Sequence, residues 1–409
     1  MKYVIIGNSV AAIGCIEGIR RVDKAGEIIV VGREPYHVYS RPLISYLLLG
    51  KTDRERMAYR PLEFYEKNGC TLLAGKSAVS LDAAAHTVTL DDGSELSYDK
   101  LLVATGSRPF VPPIKGLDTV GGYHAFLTLD DALKLDAEVN GESEVLIIGA
   151  GLIGLKCAEG ISRKVKHITI VDMAQQVLPS VLDAGGAEVV KQHIEAQGIT
   201  LHLGVSIEAF AGKEMLLTDG RRIPFTTLVV AAGVRPEVEL VKAAGGEVNR
   251  GIVTDSSGKT TLPDVYAAGD CAESYDISNG TSRILALLPN AYMQGEAAGS
   301  QMAGGALLFD RAIPLNATSL WGLHMTTAGS YIGQDLVYGA NGDYKRLFYE
   351  NDLLKGFIII GNVERTGIYT ALIRNRTPLS SIDFELICEK PQLMAFSKAE
   401  RKKQLGGVQ

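Results

Sequence analysis

Cysteine is scarce in this chain: five in 409 residues, Cys15, Cys70, Cys157, Cys271 and Cys388. No two are close enough for a Cys-x-x-Cys redox pair or a zinc site, so no metal is expected. Their odd number and scatter fit reduced thiols in a reducing compartment. No apolar run reaches the ~18 residues that cross a bilayer. No basic and apolar leader stands before the first strand at Tyr3, so a signal peptide is not expected. Positive charge is not in excess either. Lys and Arg number 41 against 47 Asp and Glu, a net charge of −6, which argues against nucleic acid or a membrane surface as partner. These absences together predict a cytoplasmic protein.

What is present is length and repetition. A chain of 409 residues exceeds one core and predicts two or three domains. Near the N-terminus stands Tyr3-Val4-Ile5-Ile6-Gly7-Asn8-Ser9-Val10-Ala11-Ala12, and about 140 residues later Val145-Leu146-Ile147-Ile148-Gly149-Ala150-Gly151-Leu152-Ile153-Gly154. Each is an apolar strand running into a loop of small residues. Such a loop lets a pyrophosphate approach backbone amides at a helix N-terminus. In the first, Gly7 makes the turn, Ser9 takes the place of the usual second glycine and Ala12 that of the third. The second is a complete GxGxxG.

An acid follows each loop. Glu34 comes 27 residues after Gly7, just past Val30-Val31, and suits the ribose of an adenosine. Asp172 comes 23 residues after Gly149. A carboxylate there bonds both ribose hydroxyls and repels a 2′-phosphate, so NADH is expected over NADPH. The next residues, Met173-Ala174-Gln175-Gln176, offer no arginine for that phosphate. A third motif, Ala268-Gly269-Asp270, places a strand-end aspartate where it can bond the ribityl chain of a flavin. Leu288-Pro289-Asn290-Ala291 opens a helix through Gly304 whose first amides can face negative charge on a flavin ring.

The expected fold is α/β, with two doubly wound nucleotide-binding domains and a small α+β C-terminal domain. The first βαβ unit comprises a strand at 3–7, a helix from Ser9 to Arg21 and a strand Glu27–Val31. Turn-punctuated segments follow, with Asp92-Gly93 as a turn signal. Leu101 to Pro109 and its copy, Leu228 to Pro236, close the two units, and Pro109, Pro112 and Pro113 mark a boundary. The domains are placed at 1–111 with 236–312 (FAD), 112–235 (NAD) and 313–409. The last has strands at Ser330–Tyr338, Tyr344–Tyr349 and Leu354–Gly361, then a helix at Glu364–Arg374.

These motifs resemble the pyridine nucleotide–disulfide oxidoreductases, over residues 1 to about 310. The resemblance implies a glutathione-reductase-like architecture. It implies FAD held by Gly7, Ser9, Val10, Ala11, Glu34, Arg41, Pro42, Val79, Ala104, Thr105, Gly106, Gly269, Asp270, Pro289 and Asn290. It implies NAD held by Gly149, Gly151, Leu152, Ile153, Gly154, Asp172 and Gly233. The disulfide branch carries a reactive cysteine in the segment after the ribose glutamate. Here that segment, Tyr36-His37-Val38-Tyr39-Ser40-Arg41-Pro42-Leu43-Ile44-Ser45-Tyr46, has none, so disulfide chemistry lacks its nucleophile. The pattern Tyr39 to Leu43 instead resembles the branch that serves rubredoxin, ferredoxin or a nitrite reductase centre. There Arg41 touches FAD. Leu320-Trp321-Gly322-Leu323-His324 extends that likeness into the C-terminal module.

The implied function is hydride exchange between NAD(H) and FAD, with electrons passed to a small iron–sulfur or rubredoxin-type carrier protein, by a monomer or homodimer. Two other readings fit the same loops: an NADH oxidase or quinone reductase, and an NADH-sensing scaffold. Lys156 stands where the family usually has glutamate, and a lysine there would raise the flavin potential. Cys157 and Cys271 read as packed hydrophobes, His324 as structural and Trp321 as core or interface. The basic run Lys398, Arg401, Lys402 and Lys403 reads as a solvated helix end.

Overall fold

The computed structural model describes residues 1–340, 342–399 and 401. Tyr3, Val4, Ile5 and Ile6 are all buried, as a strand covered on both faces must be. Their strand, Lys2–Ile6, lies in the middle of a five-stranded parallel sheet. Across that sheet the order is Val265–Ala267, Lys100–Val103, Lys2–Ile6, Glu27–Gly32 and Cys70–Ala74. The helix Val10–Val22, with Ser9 at its N-cap, follows the first strand. It packs backbone to backbone against the helix Leu288–Met302. A Cβ on Gly14 would collide with the carbonyl of Tyr292, and one on Gly295 with that of Ala11. These glycines let two helices nearly 280 residues apart in sequence approach closely.

A second parallel sheet repeats the plan with four strands, Thr200–Leu203, His167–Asp172, Glu144–Ile148 and Thr227–Val230. The helix Leu152–Ile161 leaves the strand Glu144–Ile148 as Val10–Val22 leaves the first. The chain passes between the two halves on the short strands Ser107–Pro109 and Val234–Pro236. These pair antiparallel, Val234 opposite Pro109, and the Arg235 guanidinium stacks 4.0 Å over the Phe110 ring.

The chain divides into two compact units. One comprises Met1–Met173, Thr200–Tyr275 and Ser282–Asp310; the other comprises Ala174–Ile199, Asp276–Thr281 and Arg311–Gln409. The second unit is built on an antiparallel sheet ordered Leu315–Leu320, Leu323–Gly329, Leu353–Ile360, Asp343–Glu350 and Gln334–Ala340. Leu347, Phe357, Tyr369, Leu372, Ile373 and Ile387 form its core. It takes in the helix Ala184–Glu195, which the sequence reading assigned to the NAD half. Asp183 caps that helix, accepting from the Gly186 amide at 2.9 Å. It also receives the Tyr344 hydroxyl at 2.6 Å and Arg346 at 2.5 Å.

Two expected elements are shifted. The strand read at Ser330–Tyr338 begins at Gln334, after a turn at Gly333 with φ +86°. The helix read at Glu364–Arg374 spans Gly367–Asn375. Asn362 holds the Glu364 amide in a turn and Arg365 is left-handed at φ +59°, which delays the helix start. Among the described residues no helix is long and apolar enough to cross a membrane, and no cluster of metal ligands occurs.

Candidate functional site

The C-terminal ends of the five-stranded sheet open into a cleft, where a doubly wound fold places its ligand. Gly7, Asn8, Ser9, Val10 and Ala11 form one wall, and Ala104, Thr105, Gly106, Gly269 and Asp270 another; Glu34 and Arg41 line it too. Gly7 adopts φ +117°, and any Cβ on it would collide with the Ala104 carbonyl, so only glycine brings the loop this close to the neighbouring strand. Ser9 caps the helix without using its side chain, which leaves the hydroxyl beside the loop where a phosphate would lie.

Glu34 ion-pairs with Arg41 and accepts the Tyr39 hydroxyl at 2.6 Å; the same hydroxyl accepts from the Leu129 amide at 2.8 Å. The ribose-binding candidate is thereby oriented by an arginine and a tyrosine from one short segment. Asp270 meets the Ser107 hydroxyl at 3.5 Å. Burial pushes its pKa up, opposed by Arg41 and by the Ser107 bond. Its carboxylate is therefore poorly solvated and gains from any hydroxyl donor brought into the cleft. It is not a helix N-cap, since the next helix begins at Leu288.

The second loop reproduces the first. Gly149 adopts φ +114°, with the Ala231 carbonyl where its Cβ would be. A Cβ on Gly154 would collide with the Gly149 carbonyl, so the helix Leu152–Ile161 rests directly on the loop. Asp172 accepts from the Ala150 amide at 2.7 Å, which turns its carboxylate toward that loop. Gly233, at φ +102°, ends the neighbouring strand as Gly106 does in the first half. Lys156, one turn into the helix, ion-pairs with Glu159, whose side chain is 2% exposed. Its ammonium lies 4.5 Å from the Tyr46 ring centroid.

Not every residue carried over reaches the cleft. Val79 is 59% exposed on the strand Ala78–Asp82, while its neighbours Lys76, Ser77 and Ala78 line the cleft. Pro42, Pro289 and Asn290 are absent from the lining, whereas Leu288 and Ala291 belong to it. The sequence reading missed Asn8, Tyr36, His37 and Glu237. Asn8 bonds the Tyr36 carbonyl at 3.2 Å and receives the Tyr65 hydroxyl, which braces the loop. Glu237 takes a two-point bond from Arg33 at 2.9 and 2.5 Å. Only its position just after Pro236, the return crossing, could have marked it.

The two cysteines read as packed hydrophobes are buried. The Cys271 thiol is buried and donates to the Ala268 and Val103 carbonyls. Cys157 is buried in its helix. Trp321, read as core or interface, is instead half-buried in a tight turn at φ +45°, and His324, read as structural, is exposed on its strand. Of the basic run, Lys402 and Lys403 lie outside the described residues.

The model of the family described as pyridine nucleotide-disulphide oxidoreductase matches residues 1–295. Over 394 residues the chain is 34% identical to the NADH-dependent phenylglyoxylate dehydrogenase subunit epsilon of Aromatoleum evansii, covering 93% of each chain. It is 28% identical over 310 residues to a rubredoxin-NAD(+) reductase of Pseudomonas putida, covering 74% of this chain and 80% of that one. The structure matches a covalent putidaredoxin reductase–putidaredoxin complex with TM-score 0.88 at 23% identity, over 100% of this chain and 99% of that one, which establishes the fold.

Proposed function

The chain belongs to the pyridine nucleotide-disulphide oxidoreductase family, a flavoprotein oxidoreductase with FAD and NAD(H) as cofactors, and from that premise we propose that it exchanges electrons between NAD(H) and a protein iron centre of the rubredoxin, ferredoxin or iron–sulfur type, in the cytoplasm. The observation that carries this reading is a pair of nucleotide loops in one compact unit with no cysteine in the 36–46 segment beside the first. Two loops with an acid each accept two dinucleotides; without a dithiol, electrons must leave by another route than disulfide exchange. The name of the P. putida relative supports the choice of partner class.

The proposed binding sites follow. Gly7, Ser9, Val10, Ala11, Glu34, Arg41, Ala104, Thr105, Gly106, Gly269 and Asp270 hold FAD. Gly149, Gly151, Leu152, Ile153, Gly154, Asp172 and Gly233 hold NAD. Bound FAD supplies the conversion between two-electron hydride chemistry and one-electron transfer. The residues around it supply position: the loop amides fix the pyrophosphate, Glu34 fixes a ribose, and Asp270 fixes the ribityl chain. No acid–base pair is required. The three-domain division read from sequence belongs to the same proposal, supported by the two separate parallel sheets. Lys156 is proposed to tune the flavin; with Glu159 beside it, the pair acts as a dipole rather than a bare cation.

The test is an anaerobic titration of the flavin band with NADH and with NADPH, followed by addition of oxidised rubredoxin or ferredoxin. Stoichiometric bleaching by NADH, weak bleaching by NADPH and reoxidation by the carrier are expected. Failure of NADH to bleach removes the two-loop reading. Reoxidation by oxygen but by neither carrier favours an oxidase. The same titration against a reference dye, run on Lys156→Glu, is expected to give a lower flavin potential; an equal potential removes the tuning role.

A further inference from the structure

Gly269 and Asp270 line the first cleft, yet the Asp270 side chain is only loosely tied, to the Ser107 hydroxyl at 3.5 Å. The direction of its carboxylate is therefore set by the backbone of the turn that carries it. Gly269 bends that turn at φ +85°, and the Ala272 amide closes it on the Gly269 carbonyl at 2.9 Å. The Gly269 amide is buried and needs an acceptor of its own. It finds one in the Gln294 side-chain carbonyl at 2.8 Å. A backbone amide can only donate, so this bond fixes which way the Gln294 carboxamide is turned. Its amino group then donates to the Ser274 hydroxyl, on the strand Glu273–Asp276. Gln294 and Ser274 are both buried. Gln294 belongs to the helix Leu288–Met302, and the next residue, Gly295, lies against the Ala11 backbone of the first loop. Two successive residues of one helix thus touch both motifs that wall the cleft.

We propose that Gln294 is a positioning residue of the flavin site: by joining the Gly269 amide to Ser274, it keeps the Asp270 carboxylate aimed into the cleft. The proposal rests on the assignment of that cleft to FAD. Gln294 does not line the cleft and acts only through the turn. An apolar side chain of similar reach at this position would leave the Gly269 amide and the Ser274 hydroxyl buried without these partners. The turn would then shift toward another acceptor and carry Asp270 with it.

The test is a titration of the FAD-stripped full chain with FAD, followed by flavin fluorescence. Gln294→Met is expected to bind FAD about tenfold more weakly, as the loss of one buried acceptor implies. Ser274→Ala unties only the far end of the carboxamide and is expected to lose about threefold. The decisive comparison combines each with Asp270→Asn. If Gln294 acts through Asp270, each double variant binds about as weakly as Asp270→Asn alone, whereas independent effects multiply, to about a hundredfold for Gln294→Met. Binding of NADH at the second loop, read by its own fluorescence in the stripped variants, is expected to match the wild type and establishes that they fold. Wild-type FAD affinity in Gln294→Met, multiplied losses in the double variants, or loss of NADH binding together with FAD would each overturn the proposal. A wild type that takes up no FAD would instead remove the assignment of the cleft.

Discussion

Asp270 carries opposing demands. Burial raises its pKa, so the folded chain disfavours the ionised form that the unfolded chain accepts. The group therefore costs no stability below the ordinary aspartate range, becomes destabilising as pH rises through the unfolded pKa, and remains so above the folded one. Asp270→Asn removes that penalty. The FAD-free variant is expected to melt higher than the FAD-free wild type at neutral pH, with the difference closing on acidification. Its FAD affinity is expected to fall about tenfold, the difference between a charge-assisted and a neutral hydrogen bond. Melting curves across pH and a fluorescence titration with FAD decide it; a variant that melts lower at neutral pH would remove burial as the cause. Asp270 was legible because a strand end, a small-residue turn and an acid adjoin in sequence. Tyr39 was not read as a partner of Glu34, because that bond depends on how the 36–46 segment folds back over the strand end. Val79 was misplaced by one residue, because it is the extra residue of a bulge between Ala78 and Ser80 and turns to solvent while Ala78 lines the cleft.

The two βαβ units were legible almost residue by residue, since unbroken apolar runs followed by small-residue loops allow little else. The cross-chain meeting of Val10–Val22 with Leu288–Met302 was not, because the glycines that permit it belong to two distant segments. Nor was the grouping of Ala184–Glu195 with the C-terminal module, which rests on Asp183 meeting Tyr344 and Arg346. The repeated loops allow the two nucleotides to be separated by mutation. Gly154→Ala puts a methyl into the Gly149 carbonyl and must push the helix off the loop. The variant is expected to purify yellow, with full FAD, but to need at least tenfold more NADH for half-bleaching, about 1.4 kcal/mol or more. Gly7→Ala meets the Ala104 carbonyl in the same way and is expected to lose FAD itself. Loss of FAD from Gly154→Ala would mean that the two loops do not serve separate nucleotides.

Charge is distributed unevenly over the whole molecule. Residues 311–409 hold twelve lysines and arginines against nine acids, a net +3, while the remainder of the chain carries −9. The overall −6 conceals this division, and the run at Lys398–Lys403, read alone as a solvated helix end, is only part of it. With Ala174–Ile199 at −2 and Asp276–Thr281 at −1, the compact unit containing residues 311–409 is neutral and the other unit carries −6. If residues 311–409 dock the electron carrier, an acidic carrier is drawn to their local +3 and repelled from the acidic unit. Such steering is screened over a Debye length of about 8 Å at physiological salt. The rate of electron transfer to an acidic ferredoxin or rubredoxin, followed by stopped flow with the flavin already reduced, is therefore expected to fall about tenfold or more between low salt and about 0.5 M. Bleaching by NADH, at loops in the acidic remainder, is expected to change far less. A carrier rate that rises with salt would place docking on the acidic part of the chain, and a rate that ignores salt would leave apolar contact as what holds the carrier.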